Sequence, residues 1–316
     1  MEIPKMTTKV FIDGKAGTTG LRIYDRLLER SDVTLLTLAE EDRKDPAKRK
    51  EMLNSCDIAF LCLPDDASRE AVSMIENPAV AVLDTSTAHR TLDDWAYGFP
   101  ELSPEFFRKV AASKRIAVPG CHASGFIALV KPLIDAGILS ADTPLTCHSI
   151  TGYSGGGKKM IAEYRDENRP ALFDAPRQYG LTQQHKHLKE MVKITGSRVA
   201  PIFCPIVADF YSGMVVTVPI FREYLRGGAD AAAVREVYRA LYAGPVVSYA
   251  ENASENGLIS ANALAGKDSM QITVEGNDDR ILLIARYDNL GKGASGAAVE
   301  CMNIVMKQDP ALGLDL

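Results

Sequence analysis

A chain of 316 residues is long enough for one large domain or two ordinary ones, each with its own core. Hydrophobic residues make up 46% and charged residues 24%, which excludes an intrinsically disordered chain. The net charge of −5 offers no general attraction to nucleic acid or anionic membrane, so neither is expected as a partner. Local basic pockets still leave room for a small phosphate ester.

The N-terminus carries no apolar run of the secretory type, and no stretch is long enough to span a bilayer, so a cytoplasmic protein is expected. Thr7, Thr8 and Lys9 lead straight into the first strand, so residues 1–6 read as a ragged or vector-derived extension. The six cysteines, at 56, 62, 121, 147, 204 and 301, form no CxxC pair and suit reduced thiols better than a disulfide framework or a zinc site.

The first third alternates short apolar runs with amphipathic stretches. Strands are expected at Lys9–Asp13, Val33–Leu38, Asp57–Leu63, Val80–Leu83 and Arg115–Val118, with helices over about 19–29 and 68–75. Strict alternation implies parallel pairing through crossover helices, hence α/β architecture with a Rossmann-type doubly wound sheet. After about residue 120 the rhythm changes. A helix over 122–136 is followed by strand-like runs at 145–151, 198–207, 213–221, 246–250, 270–275 and 281–287, the last two flanking the turn Gly276-Asn-Asp-Asp279. An α+β second domain with a mixed or antiparallel sheet is expected. Gly291 to Gly296 opens a final helix to about Met306. The expected division is a nucleotide-binding domain over 1–120, completed by 294–316, and a second domain over 121–293.

Gly14-Lys-Ala-Gly17-Thr18-Thr19-Gly20 follows the first strand and opens a helix. Glycines there let backbone approach a pyrophosphate, and the helix N-terminus offers unpaired N–H groups; a glycine-rich turn without ligand is the alternative. Both acids (Glu40, Glu41, Asp42) and bases (Arg43, Lys44) follow the second strand, and the bases favour a 2′-phosphate, hence NADP over NAD. Asp84-Thr-Ser86-Thr-Ala-His89-Arg90 lies at the carboxyl end of the fourth strand, where such sheets hold ligands, and Arg90 can fork onto phosphate or carboxylate.

Cys121, in Val118-Pro-Gly-Cys-His-Ala-Ser, sits where a strand ends and a helix begins. A helix N-terminus favours thiolate over thiol and holds an oxyanion, so Cys121 is either a nucleophile or a small buried residue at a helix start. Tyr179-Gly-Leu-Thr-Gln-Gln-His185-Lys-His187 places two imidazoles where they suit general acid/base work or a solvated turn. No third and fourth ligand falls at zinc spacing, so no metal is expected. Thr151-Gly-Tyr-Ser154-Gly-Gly-Gly-Lys158-Lys159 combines a hydroxyl, flexibility and two cations, as an anion site or simply a loop.

Together these strings resemble the N-acetyl-gamma-glutamyl-phosphate reductases of arginine biosynthesis, in their shorter form, which belong with the aspartate-semialdehyde dehydrogenases. The resemblance runs from Thr8 to Lys307 and is most specific at Gly14–Gly20, Tyr97-Gly-Phe-Pro-Glu-Leu102, Pro119–Ser124, His185–His187 and Asn289–Gly296. It implies Cys121 as nucleophile, His185 as acid/base, and Ser154, Tyr179 and His187 as substrate contacts; Arg90 and Lys158 join them as anion-binding candidates on the residue reading alone. It further implies cofactor contacts from Gly14, Gly17, Thr18, Thr19 and Gly20, with Asn289, Gly293 and Gly296 towards the nicotinamide; Arg43, Lys44 and Ser86 are cofactor candidates from their places after the second and fourth strands. The implied reaction takes NADPH and an acyl phosphate to an aldehyde and inorganic phosphate, in a homodimer or homotetramer. The longer form has tyrosine and proline where this chain has His122 and Ala123, which leaves His122 without a role. The rival readings are an aspartate-semialdehyde dehydrogenase, a thioester-forming dehydrogenase that works without phosphate, and a nucleotide sensor that has lost the chemistry.

Overall fold

The computed structural model describes residues 7–316; the segment 1–6, read above as an extension, lies outside the described residues. The chain divides into two compact units. The first comprises residues up to Pro100, Glu105–Pro119 and Ser295–Leu314; the second comprises Glu101–Pro104, Gly120–Ala294 and Asp315–Leu316.

In the first unit β1 (Thr8–Asp13), α1 (Thr18–Leu28), β2 (Val33–Leu36), α2 (Pro46–Ser55), β3 (Ile58–Leu61), α3 (Asp65–Ser73), β4 (Ala81–Asp84), β5 (Ala96–Tyr97), α4 (Pro104–Ala112) and β6 (Arg115–Ala117) follow in order. They build a six-stranded sheet in the order β2-β1-β3-β4-β6-β5 with every pair parallel. β3 and β4 are buried along their whole length, as strands covered on both faces must be. One face packs Val10, Ile12, Phe60 and Leu83 against α1 and the C-terminal helix; the other packs Phe11, Ala59 and Leu61 with Leu53 and Ala71. β2 stops at Leu36 rather than running to Leu38. α2, absent from the sequence reading, carries six polar residues among its ten, and its start rests on Asp45, whose carboxylate accepts from Ala47 N and Lys48 N at 2.8 and 3.2 Å ahead of Pro46.

The second unit contains α5 (Cys121–Asp135), β7 (Thr146–Gly152), α6 (Gly157–Arg165), β8 (Arg177–Gln178), α7 (His187–Thr195), β9 (Ile202–Ala208), β10 (Met214–Phe221), α8 (Ala231–Leu241), β11 (Val247–Tyr249), β12 (Met270–Gly276) and β13 (Arg280–Tyr287). Its seven-stranded sheet runs β11-β12-β13-β10-β7-β9-β8 and is mixed: β7–β9 and β11–β12 are parallel, the other pairs antiparallel. The β12–β13 hairpin forms at the expected turn, where Gly276 has φ +103° and a Cβ would lie 2.2 Å from Arg280 O. Residues 291–295 wind as a single π-helical turn before α9 (Gly296–Val305), which belongs to the first unit.

α5 is the central helix of the second unit, buried from His122 to Val130 and packed on α7, α8, β10 and β13. Pro132 inside it has no N–H to offer the carbonyl of Ala128 four residues back. The hydroxyl of Tyr242 supplies the missing donor at 2.7 Å, and that of Tyr238 donates to the next carbonyl, Leu129 O. Burial pushes both phenols well above their ordinary range, so they stay protonated as donors. Replacing Tyr242 by Phe strands a buried carbonyl, with an expected loss of about 1–3 kcal/mol of stability. Urea unfolding of the variant measures it; a midpoint equal to wild type would mean that Ala128 O has another donor.

Candidate active site

The glycine-rich turn after β1 is shaped for close approach. Gly14 has φ +87°, and a Cβ there would sit 2.3 Å from Cys62 O; a Cβ on Gly20 would meet Gly14 O at 2.6 Å. The turn closes through Gly17 N to Gly14 O at 2.9 Å. Gly17 is the N-cap of α1 and brings no side-chain acceptor to the first-turn N–H groups, the arrangement an anion completes. Gly14 and Lys15 line a cavity of about 550 Å³ together with Glu40, Glu41, Arg43 and Lys44. Gly17, Thr18 and Thr19 are half-buried beside it in the chain. Arg43 is paired with Glu40. At the cavity wall Arg49 holds Asp13 through two bonds of 2.9 and 3.1 Å. Burial raises the Asp13 carboxyl, against the pull of Arg49. A backbone cradle, an uncapped helix start and several cations suit a phosphate-bearing dinucleotide.

Two expected contacts in this unit differ from the sequence reading. Ser86 turns inward: its hydroxyl donates to Asp84 at 2.6 Å and its N–H to the same carboxylate at 2.9 Å. Asp84 is fully buried and also receives Ser68 Oγ at 2.9 Å and faces His89 Nδ1 at 2.5 Å, so an unscreened carboxylate claims every nearby donor. Arg90, expected to fork onto an anion, donates to Val118 O and Thr85 O at 2.8 Å each and is 7% exposed. It ties the loop after β4 to the end of β6.

In the second unit Cys121 is the first residue of α5, after Gly120 (φ −79°, ψ 141°), and is half-buried. Gly120 N donates to Glu190 Oε1 on α7 at 2.8 Å, which fixes the entry into the helix. Tyr287, the last residue of β13, donates its hydroxyl to Cys121 O at 2.5 Å and accepts from Gly125 N at 2.9 Å. It thus spans the i, i+4 pair that a helix joins directly, and only glycine fits at 125, where a Cβ would lie 2.7 Å from the phenol oxygen. Gly293 packs on the thiol residue from another side: its Cβ would lie 3.0 Å from Cys121 Cβ.

Around this turn stand Tyr179, His185, His187 and His122. His122 bonds to Ser149 Oγ through Nδ1 and to Tyr179 Oη through Nε2, both at 2.6 Å. Its ring lies 5.9 Å from that of His185 and 5.7 Å from that of His187, and the latter two are 4.7 Å apart. His185 Nδ1 accepts from His187 N at 3.2 Å. Burial lowers His122 to about 3, helped by His185, and lowers His185 with help from Lys186, so His122 is neutral at physiological pH. Burial, and then the proximity of Cys121, raises Tyr179.

The remaining expected residues divide. Ser154 is fully buried, its Oγ accepting from Asn289 Nδ2 at 3.0 Å, while Asn289 Oδ1 accepts from Gly213 N at 2.9 Å. Both side chains are buried and brace the loop through these bonds. Lys158 is exposed on α6. Gly296 is buried at the start of α9. The sequence reading missed Glu190, Tyr287 and the buried Lys292–Glu101 pair at 2.6 Å. Only Glu190, one turn beyond His187 on an amphipathic helix, left a legible trace. Among the described residues no group of three or more His, Cys, Asp or Glu is placed to hold a metal ion, and no helix is long and apolar enough to cross a membrane.

Residues 41–110 match the family model of the semialdehyde dehydrogenase NAD binding domain, and residues 121–289 that of the semialdehyde dehydrogenase dimerisation domain. The N-acetyl-gamma-glutamyl-phosphate reductase of Sinorhizobium medicae is 46% identical over 95% of this chain and 99% of its own. The chain belongs to that family. The reductase of the same name from Trichormus variabilis is 44% identical over 97% of this chain and 99% of its own. Among solved structures, aspartate semialdehyde dehydrogenase II from Vibrio cholerae and a probable aspartate-semialdehyde dehydrogenase from Pseudomonas aeruginosa have TM-scores of 0.71 and 0.72. Each is 18% identical and covers 96% of this chain and 99% of its own, a likeness of fold.

Burial pushes Cys56 and Cys62 up to about 12 and raises Cys147 further, so all three remain thiols at neutral pH. Limited alkylation with iodoacetamide at pH 7 is therefore expected to mark Cys121 well before these three, and Gly293→Ala to slow that labelling by crowding its Cβ. Peptide mapping reads the result; even labelling of Cys56, Cys62 and Cys121 would contradict it.

Proposed function

We propose that this chain reduces N-acetyl-gamma-glutamyl phosphate to N-acetyl-glutamate semialdehyde with release of phosphate, using NADPH, as a step of arginine biosynthesis. The observation that carries the reading is Cys121 on the first turn of α5 with Tyr179 and three imidazoles gathered beside it. Family membership supplies the substrate class.

Cys121 thiolate attacks the acyl carbon, the carbon–oxygen bond to phosphate breaks, and a thioester remains on Sγ. Bound NADPH supplies the hydride that reduces this thioester to a thiohemiacetal. His185, as free base, takes up the Cys121 thiol proton as the sulfur attacks, passes it to the new oxygen, and recovers it when the carbon–sulfur bond breaks, releasing aldehyde and regenerating the thiol–imidazole pair. First-turn N–H groups of α5 face the developing oxyanion, a contribution of about 3 kcal/mol per donor in comparable sites. Arg43 and Lys44 meet the cofactor 2′-phosphate, while the turn at Gly14–Gly20 takes its pyrophosphate. Lys158 attracts the substrate phosphate, whereas Ser154 and Asn289 act by bracing the loop. The molecule assembles as a homodimer or homotetramer through the seven-stranded sheet and works in the cytoplasm.

A second reading of the acid/base is favoured by one contact. Glu190 holds Gly120 N at 2.8 Å and lies one turn from His187 on α7, so that helix carries His187 rigidly beside the nucleophile turn.

With N-acetyl-glutamate semialdehyde, NADP and phosphate, wild-type protein is expected to turn over, and much faster than with aspartate semialdehyde. Cys121→Ser is expected to abolish turnover and keep NADPH binding by fluorescence titration; near-wild-type activity would remove the nucleophile assignment. His185 is depressed below the ordinary 6.5, so its imidazole is the free base above that pH and is lost as base when pH falls through the lowered value. The acid limb of kcat/KM is accordingly expected below pH 6.5 and to vanish in His185→Asn. A limb that survives there and disappears in His187→Asn would transfer the role to His187.

A further inference from the structure

His122 is buried, adjoins the thiol residue in sequence, and takes no step in the reaction above, yet both its ring nitrogens are engaged. Its surroundings are Ser149 on β7, Tyr179 after β8, His185, His187 on α7 and Phe203 on β9. A neutral imidazole has one donor and one acceptor nitrogen, so one of its two bonds runs inward and the other outward. The direction follows from Ser149. Its hydroxyl is fully buried and has no other hydrogen-bond partner among the described residues. A buried O–H left without an acceptor is far more costly than an unused lone pair, so Ser149 donates to Nδ1. The imidazole proton then sits on Nε2 and points at Tyr179 Oη. Tyr179, receiving that bond, keeps its own proton for something else, and its hydroxyl too has no other partner among the described residues. The phenol stays protonated, since burial and Cys121 both raise it.

We propose that His122 is a positioning residue: Ser149 locks it in the Nε2–H tautomer, and it holds Tyr179 so that the phenol O–H is delivered to the acyl oxygen of a substrate carried by Cys121. This rests on the reductase reading, and it assigns Tyr179 a donor role that complements the backbone N–H groups. The opposite tautomer would leave Tyr179 bonded inward and remove its proton from the site. No proton is transferred along the relay; it orients a single hydrogen bond.

A double-mutant cycle tests the coupling. His122→Phe and Tyr179→Phe are each expected to lower kcat about a hundredfold with KM little changed, the loss typical of one oxyanion donor. The double variant should be no slower than Tyr179→Phe alone, and His122→Gln, which keeps an N–H near the same oxygen, should recover part of the rate. Should His122→Phe fold poorly, Ser149→Ala serves in its place: slower than wild type, but without effect when Tyr179 is already Phe. Losses that simply multiply would overturn the relay while leaving the reductase reading intact. Absence of phosphate-dependent turnover in wild type would overturn both. Long-range proton–nitrogen NMR of the labelled full chain, with the His122 signal assigned by its loss in His122→Gln, should show protonated Nε2 and bare Nδ1 from about pH 5.5 to 8.5. A protonated Nδ1 in that range would sink the proposal without reference to activity.

Discussion

The chemistry of the second unit depends on how the first turn of α5 is held. A helix start is the least constrained part of a helix, because its leading N–H groups have no partners within it. Here the chain is pinned from three sides: Glu190 takes Gly120 N, the Tyr287 hydroxyl spans Cys121 O and Gly125 N, and Gly293 closes on the Cys121 Cβ. Each pin comes from a different element, so the position of the sulfur is set by tertiary packing rather than by helix propensity. The N-cap, Gly120, brings no side-chain acceptor to the helix start, which suits an oxyanion there.

Burial separates the cysteines from one another as much as the helix start does. Cys56, Cys62 and Cys147 are held as inert thiols by desolvation, and Cys301 is wholly enclosed in the core of the first unit. Desolvation works in the opposite sense on the imidazoles, keeping His122 uncharged and depressing His185. Desolvation therefore keeps three cysteines as thiols and sets the state of the imidazoles beside Cys121.

Much of this was legible in the chain. The glycine-rich turn at Gly14–Gly20 and the helix start at Cys121 were readable because glycine placement announces local backbone geometry. The alternation of apolar runs likewise announced both sheets, since burial on two faces and on one leave different periodicities. What escaped has a common cause. Ser86 and Arg90 offer groups suited to a ligand, but the buried carboxylate of Asp84 and the carbonyls of Thr85 and Val118 claim them first, and that competition is decided in three dimensions. Tyr287, Ser149 and Glu190 reach the site from β13, β7 and α7, so their registers, not their spacings, bring them there. α2 was invisible because its few apolar residues form no helical stripe and only its Asp-Pro start is diagnostic.

A helix that is buried on nearly every side cannot lean on water to satisfy irregularities, yet α5 has one at each end: a reactive start and a proline near its finish. In both places a tyrosine hydroxyl from outside the helix replaces or bridges a backbone bond, Tyr287 at Cys121–Gly125 and Tyr242 at Ala128 opposite Pro132. A phenol suits the task because its rigid ring reaches across a packed interface with few rotamers to lose and stays protonated when buried. In the proposed relay Tyr179 uses the same property in the opposite direction, its ring packed against His122 and its hydroxyl on His122 Nε2. Dry packing and polar precision are reconciled in this unit by placing single hydroxyls where the backbone would otherwise be incomplete, and the reactive turn is the place where that completion also aligns the chemistry.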